Sequence, residues 1–271
     1  MSLTQVAVVQ MTSTPDVARN MDSAERLVRR AAAQAAKLVV LPEAFAFLGP
    51  DEGQRAVSEP LPDGGSLLAR CQGWARELDV ELVLGGFWEK SPHDERVYNA
   101  SVHLGRDGAV RAIYRKIHLF DVELADGTSL RESSKVAPGE QVVVTDAPFG
   151  KLGMSICYDV RFPELYRKLV DQGAIAITVP AAFTLHTGKD HWHVLLQARA
   201  IESQSYVLAA AQSGRHFGQR VSYGHALIAD PWGCVIAQCG GEGEGVAVAA
   251  IDTELVERLR TQLPSLKHRR L

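Results

Sequence analysis

One constellation that suits acyl transfer is a nucleophile with a base and a cation beside it. Three short segments of this 271-residue chain each carry one candidate. Cys157 stands in GKLGMSICYDVRFPEL, between an apolar run and Pro163. The run 152–156 suits a buried strand, and the proline suits the first turn of a helix. Leu165, Leu169 and Val170 give that helix an apolar face. Cys157 is therefore expected on a sharp strand-to-helix turn, where backbone N–H groups and a positive helix end favour a thiolate and a developing oxyanion. Glu43 ends the apolar strand of LVVLPEAF, and Lys116 lies among apolar and aromatic residues in IYRKIHLF. A free thiol, with a pKa near about 8.5, is mostly protonated at neutral pH and needs a base. A glutamate at a strand end can be that base. A lysine beside it can stabilise an oxyanion and hold the glutamate ionised. Taken singly, each has a plainer reading: Cys157 as a small core residue, Glu43 as a solvated strand end, Lys116 as a surface charge.

In the order Glu, Lys, Cys, these segments resemble the nitrilase superfamily of carbon–nitrogen hydrolases, whose triad is Glu-Lys-Cys. The resemblance runs from residue 6 to about residue 270. It also takes in TGKDHWHVLLQARAIESQSYVLAAAQ, SYGHALIADPWG and LPSLKHRR, which look most like the branch of deaminated-glutathione amidases and omega-amidases. The resemblance implies a four-layer α-β-β-α sandwich, a small-molecule amide substrate, no cofactor and a thioester intermediate on Cys157. Glu43 would be the general base, with Lys116 and the backbone N–H of Tyr158 holding the oxyanion. It also implies a second glutamate in the loop after Lys116. Glu132 matches by position, with Asp121 and Glu123 as rivals; from the bare sequence Glu132 reads as an exposed loop carboxylate. The closest branch implies an acyl part that is a short 2-oxo dicarboxylate, with a cysteinylglycine amine leaving. A free carboxamide such as 2-oxoglutaramate, an N-carbamoyl compound or a nitrile presents an electrophilic carbon to the same thiolate. A non-catalytic scaffold of the same fold is the remaining alternative.

Substrate carboxylates need a cation near the nucleophile. Arg161 follows Cys157 at a helix start and suits bidentate binding, unless it pairs with Asp159 or Glu164. Phe183, Thr187 and Trp192 follow the next strand end and are expected to line the same mouth, with an open amine side near 216–220.

Composition narrows the partners. The chain is 46% hydrophobic, enough for one large core, and is read as a single domain, 1–271, with a tail from about 263. A net charge of -3 leaves no basic field for nucleic acid or an anionic membrane, and the short basic end 267–270 reads as a docking tail. The four cysteines form no CxxC pair, so disulfides and structural zinc are not expected. His191 and His193, two apart on a helix, do not make a metal pair, and no metal is expected. There is no GxGxxG or P-loop. The start lacks the features of a signal peptide, and no apolar run approaches the roughly 18–20 residues of a membrane span. A reduced, cytoplasmic setting is expected, with pairing into a homodimer or larger through outer helices such as 161–170 and the tail 263–271, as the resemblance implies.

The elements that must position these residues follow from the pattern. A strand at 3–10, a helix at 17–36 and a strand at 38–41 make a β-α-β unit. A polar loop covers 51–59, a helix 64–78, and a strand 80–88 is broken by Gly85-Gly86. A charged turn at 91–96 precedes a hairpin of 97–104 and 109–115. The stretch 119–138 has neither period, which marks a functional loop. Further on come strands at 174–179, 206–211, 226–229, 235–237 and 246–251, a helix at 189–202, a loop at 213–220, and a last helix capped by Asp252. Two packed sheets with helices outside both fit this order, with one doubly wound sheet as the rival.

Overall fold

The computed structural model describes residues 3–92, 95–123 and 129–270. Strand β1 (Leu3–Met11) shows the layering in its own alternation. Val6 and Val8 face inward with Leu38, Val40 and Val83, and Ala7, Val9 and Met11 face outward onto Met21, Leu27, Leu68 and Trp74. Period-two alternation with both faces apolar means that both faces of the sheet are covered.

From the first half of the chain, β1, β2 (Leu38–Val40), β3 (Glu81–Lys90), β4 (Val97–Leu104) and β5 (Val110–Arg115) join one sheet. A small pair follows, β6 (Asp121–Glu123) with β7 (Ser129–Arg131). A second sheet takes β8 (Val144–Ala147), β9 (Gly150–Met154), β10 (Ala176–Thr178) and β11 (Tyr206–Ala209). The chain then returns to the first sheet as β12 (Ala211–Phe217) and β13 (Arg220–Tyr223), gives β14 (Leu227–Ala229) and β15 (Val235–Gln238) to the second, and closes on the first with β16 (Gly245–Asp252). The orders are β13-β12-β1-β2-β3-β4-β5, with β16 also on β1, and β15-β14-β11-β10-β9-β8.

Helices α1 (Val17–Ala33) and α3 (Ser66–Leu78) cover the first sheet, with a short α2 (Asp51–Val57) between them. Helices α4 (Pro163–Asp171) and α5 (Leu185–Ser203) cover the second, placing Leu165, Leu169, Trp192 and Leu196 on Leu152, Ile177 and Leu208. Helix α6 (Thr253–Gln262) starts from Asp252, whose carboxylate accepts the Glu254 and Leu255 N–H groups. The architecture is the four-layer α-β-β-α sandwich, and the single doubly wound sheet is excluded. His103 on β4 ties the sheets together, with Nδ1 3.1 Å from Thr145 Oγ1 on β8.

Several local expectations change. Residues 51–57 form α2 rather than loop. The 119–138 stretch holds β6, β7 and a 3-10 turn at Glu132–Ser134, although residues 124–128 lie outside the described ones, as do 93 and 94 of the charged turn. The segment 213–220 is mostly the β12/β13 hairpin. Helix α3 starts at Ser66, because the buried Glu59 carboxylate accepts from the Gly65, Leu67 and Leu68 N–H groups at 2.8, 2.7 and 3.0 Å. That cap comes from outside the helix, so local sequence does not announce it.

Candidate active site

Three chain crossings bring Glu43, Lys116 and Cys157 together. Glu43 follows β2, Lys116 follows β5, and Cys157 follows β9, so all three sit just past the ends of strands. They line one pocket of about 950 Å3, counted with its open mouth.

Cys157 has φ +47, in the left-handed region that side chains other than glycine rarely adopt. Its N–H donates to the Pro180 carbonyl at 2.9 Å, which pins the turn against the end of β10. Among the described residues the next N–H, that of Tyr158, donates to no carbonyl and stays free for a ligand. Asp159 holds the turn from below. It is fully buried and accepts from Ile156 N at 2.8 Å, the Tyr114 hydroxyl at 2.7 Å and His118 N at 3.1 Å, with His118 Nδ1 at 2.7 Å. The nucleophile turn is thereby tied to the segment that carries Lys116.

Glu43 needs room, and β3 makes it. Gly86 has φ +61, and a Cβ there would lie 2.6 Å from Ala44 N and 2.8 Å from Glu43 Cγ. The strand register shifts between Leu84 and Phe87, so the expected break at Gly85-Gly86 is a bulge under the catalytic candidate. Gln212 supports Glu43 from the other side, its Nε2 donating to the Glu43 carbonyl at 3.0 Å. The Glu43 carboxylate accepts from Lys116 Nζ at 3.1 Å and Asn99 Nδ2 at 2.9 Å on Oε1, and from Ala182 N at 2.8 Å on Oε2. The Cys157 thiol faces the same carboxylate across the pocket and favours its charged form.

Glu132 lies against the lysine, its Oε1 and Oε2 3.0 and 2.8 Å from Lys116 Nζ. The Phe120 N–H holds it at 2.7 Å. The two rivals do other work. Asp121 accepts from Ser133 N and Oγ at 3.0 and 2.6 Å, fixing the turn that presents Glu132, and Glu123 sits 3.6 Å from Arg131 at the surface.

The electrostatics set the resting protonation. Burial raises the proton affinity of Glu43, but Lys116, the Cys157 thiol and the Ala182 N–H outweigh it and bring its pKa below the usual carboxylate value. Burial opposes the charge on Lys116, yet Glu132 and Glu43 hold its pKa well above the usual value. Burial pushes the Cys157 thiol well up, and Glu43 pushes it further against the pull of Lys116. The group therefore rests as carboxylate, ammonium and thiol. This pattern suits proton transfer to Glu43 during attack rather than a standing thiolate.

Around this centre, Tyr158, Arg161, Phe183 and Thr187 line the pocket. Arg161 pairs with neither Asp159 nor Glu164. Its guanidinium lies 5.3 Å from the Phe183 ring centre and 3.3 Å from His191 Nδ1. Trp192 does not line the pocket. It is fully buried, donates to the His225 carbonyl at 2.9 Å and packs behind Phe183 with ring centres 5.1 Å apart. Helix α5 begins at Leu185, four residues earlier than expected, and Trp192, Leu196 and Ala200 form its inner face. On the expected amine side, Phe217 and Arg220 reach the pocket. His216 is buried instead, between the Ser13 carbonyl and Ser222 Oγ, each at 2.8 Å. Among the described residues no group of three or more His, Cys, Asp or Glu is placed to hold a metal ion.

Sequence reasoning missed Asn99, Asp159 and Gln212. A polar residue inside an apolar strand, as in VYNASVHL, was the available signal for Asn99.

Comparison with known proteins supplies the family. The model of the carbon–nitrogen hydrolase family matches residues 5–261. A Bos taurus protein named deaminated glutathione amidase is 48% identical over 270 residues, covering 98% of this chain and 81% of its own. A Synechocystis protein of the same name is 45% identical, with 97% of each chain covered. The crystal structure of Saccharomyces cerevisiae Nit3, described as a member of branch 10 of the nitrilase superfamily, superposes with a TM-score of 0.88 at 34% identity, covering 99% of this chain and 97% of that one. With the family model spanning nearly the whole sandwich, the chain belongs to the carbon–nitrogen hydrolase family and is a hydrolase of non-peptide C–N bonds.

Proposed function

We propose that the chain cleaves deaminated glutathione, the 2-oxo acid amide of cysteinylglycine, through a thioester on Cys157. The observation that carries the chemistry is the convergence of thiol, carboxylate and ammonium at the floor of one pocket. Glu43 takes the thiol proton as sulfur attacks the amide carbon. Lys116 and the Tyr158 N–H stabilise the oxyanion, and Glu132 holds Lys116 in place. Protonated Glu43 then gives its proton to the leaving amine. Water, deprotonated by Glu43, releases the acid.

Two facts support the substrate. Relatives at 45–48% identity carry the name deaminated glutathione amidase. Lys135, Arg161 and Arg220 line the pocket with no carboxylate partner among the described residues, which suits a ligand bearing carboxylates. Arg161, Phe183 and Thr187 serve the acyl side in this reading, and Arg220 and Phe217 the amine side. The 2-oxo form of glutathione should be cleaved with much higher kcat/KM than 2-oxoglutaramate, and intact glutathione should be poor. Equal or better turnover of 2-oxoglutaramate, or a preference for a nitrile or N-carbamoyl compound, contradicts this.

The proposed assembly is a homodimer or larger. Leu185, Val194 and Ile201 on α5, and Trp232 and Ile236 after it, are exposed apolar side chains available to such a contact. The tail does not stand away from its own subunit: Arg269 pairs with Asp171 of α4, and Leu271 lies outside the described residues. A monomer by light scattering at micromolar concentration contradicts the pairing. No helix among the described residues is long and apolar enough to cross a membrane. The cytoplasmic setting is proposed on the four cysteines, all free thiols.

A further inference from the structure

Asn99 is neither nucleophile nor acid–base group, yet its side chain touches both carboxylates of the site. It is 1% exposed, on β4. Its Nδ2 donates to Glu43 Oε1 at 2.9 Å and to Glu132 Oε1 at 3.3 Å. Its carbonyl accepts the Lys116 N–H at 2.9 Å, so one residue fixes the backbone of the lysine and the side chains of its two partners. Its Oδ1 is buried with no hydrogen-bond partner among the described residues. Leaving a buried acceptor unmade costs about 1–3 kcal/mol. Turning the amide over would set Oδ1 against two carboxylates and take Nδ2 away from its two acceptors. The amide is therefore held in one orientation by its donors.

The charges explain why donors are needed there. Two carboxylates, the buried Glu43 and the half-buried Glu132, share one ammonium, Lys116. Like charges on one site favour keeping a proton on one of them. A second cation would cancel the repulsion but would weaken Glu43 as a base. An amide supplies N–H groups without charge. Backbone N–H groups of Ala182 and Phe120 complete the arrangement from the far side of each carboxylate.

We propose that Asn99 is a positioning residue, whose amide clamps Glu43 and Glu132 on Lys116 and keeps Glu43 free to take the Cys157 proton. This rests on the reading of Glu43 as the base. The charged and titratable groups facing Glu43 are Lys116 after β5, Glu132 after β7 and Cys157 after β9, with Arg220 behind the Ala182 carbonyl at 3.0 Å. Asn99 is the uncharged member of that ring.

The test measures kcat/KM against pH for wild type, Asn99→Asp and Asn99→Ala, and follows iodoacetamide alkylation of Cys157 against pH by peptide mass mapping. Loss of the donors raises the proton affinity of Glu43, so the acid limb of both profiles should move up by about one pH unit or more. At neutral pH kcat should fall about 100-fold while KM changes little. Acid limbs at the wild-type position, with or without a lower kcat, would overturn the proposal. A measurement on wild type guards against variants that do not fold. In 15N-labelled protein the Asn99 side-chain amide protons should shift with the midpoint of the acid limb, and protons that ignore that midpoint would equally overturn it. Activity surviving in Cys157→Ser would mark a different failure, that of the thioester reading itself.

Discussion

Cys71 and Cys157 are both buried, and burial pushes both thiols upward, yet only one is placed for chemistry. Cys71 lies on the inner face of α3, packed in the core beside Leu68 and Trp74. The charge nearest in effect is Glu59, whose carboxylate is occupied by three backbone N–H groups at the start of α3. Cys157 sits on a left-handed turn beside Glu43, whose carboxylate is held by a lysine, an amide and one backbone N–H. Two buried glutamates thus do opposite things. Glu59 is saturated by a helix end and holds structure. Glu43 is held by side chains that leave one acceptor position for a proton. Burial alone makes a thiol inert; burial beside a base with a vacant position makes it reactive.

The largest expected effect separates the two cysteines. Cys157→Ser should lose turnover by about 10⁴-fold or more, with an unchanged melting curve, because Glu43 is a poor base for a hydroxyl. Cys71→Ala should keep kcat within about twofold and lower stability by roughly 1 kcal/mol, as a small core truncation does. Activity loss on modifying Cys71, Cys234 or Cys239 while Cys157 stays free would break the comparison.

Lys116→Met sharpens it on the base side. Removing the cation leaves the buried Glu43 and the half-buried Glu132 without their counter-charge, so stability should fall by about 3 kcal/mol in urea unfolding, along with activity. At low pH, where Glu43 can take a proton, the difference in stability should shrink. A constant difference from pH 8 to 4 would show that Lys116 packs rather than pairs.

His216 is a third buried titratable group, and it belongs to the structural class. Burial lowers its pKa to about 4, and it is fixed between Ser13 and Ser222. Its folded pKa lies below the unfolded value of about 6.5, so the stability it contributes is present above pH 6.5 and is lost as pH falls toward 4. The loss should be roughly 3 kcal/mol, and His216→Gln should flatten it. An equally steep decline in that variant would remove His216 from the explanation.

How much of this was legible in the sequence depends on how local each cause is. Glu43 and Cys157 each close an apolar run, so strand patterning places them at strand ends, whereas Lys116 reads as a lysine within a strand-like run, and the family resemblance joins the three. Glu132 needed the resemblance, because its turn is built by Asp121 and Ser133 rather than by any period of its own. The roles of Asn99, Asp159 and Gln212 rest on partners remote in sequence: Glu132 lies 33 residues from Asn99, Tyr114 45 from Asp159 and Glu43 169 from Gln212. Trp192 was misplaced for a related reason. An aromatic near the site in sequence turns inward when the helix starts one turn earlier. The hairpin of β12 and β13 reads as loop in the sequence because Gly214 and Gly218 interrupt its alternation.

The central claim is that Cys157 carries the acyl group and Glu43 the proton. Single-turnover reaction with the 2-oxo form of glutathione, acid-quenched on the millisecond to second scale and mapped by peptide mass spectrometry, tests it directly. The account predicts a transient adduct with the mass of the 2-oxo dicarboxylate acyl group on the Cys157 peptide alone, formed and decaying at rates consistent with kcat, and absent in Glu43→Gln. Full turnover with no adduct on Cys157 under any quench, or an adduct that forms at the wild-type rate in Glu43→Gln, would contradict it.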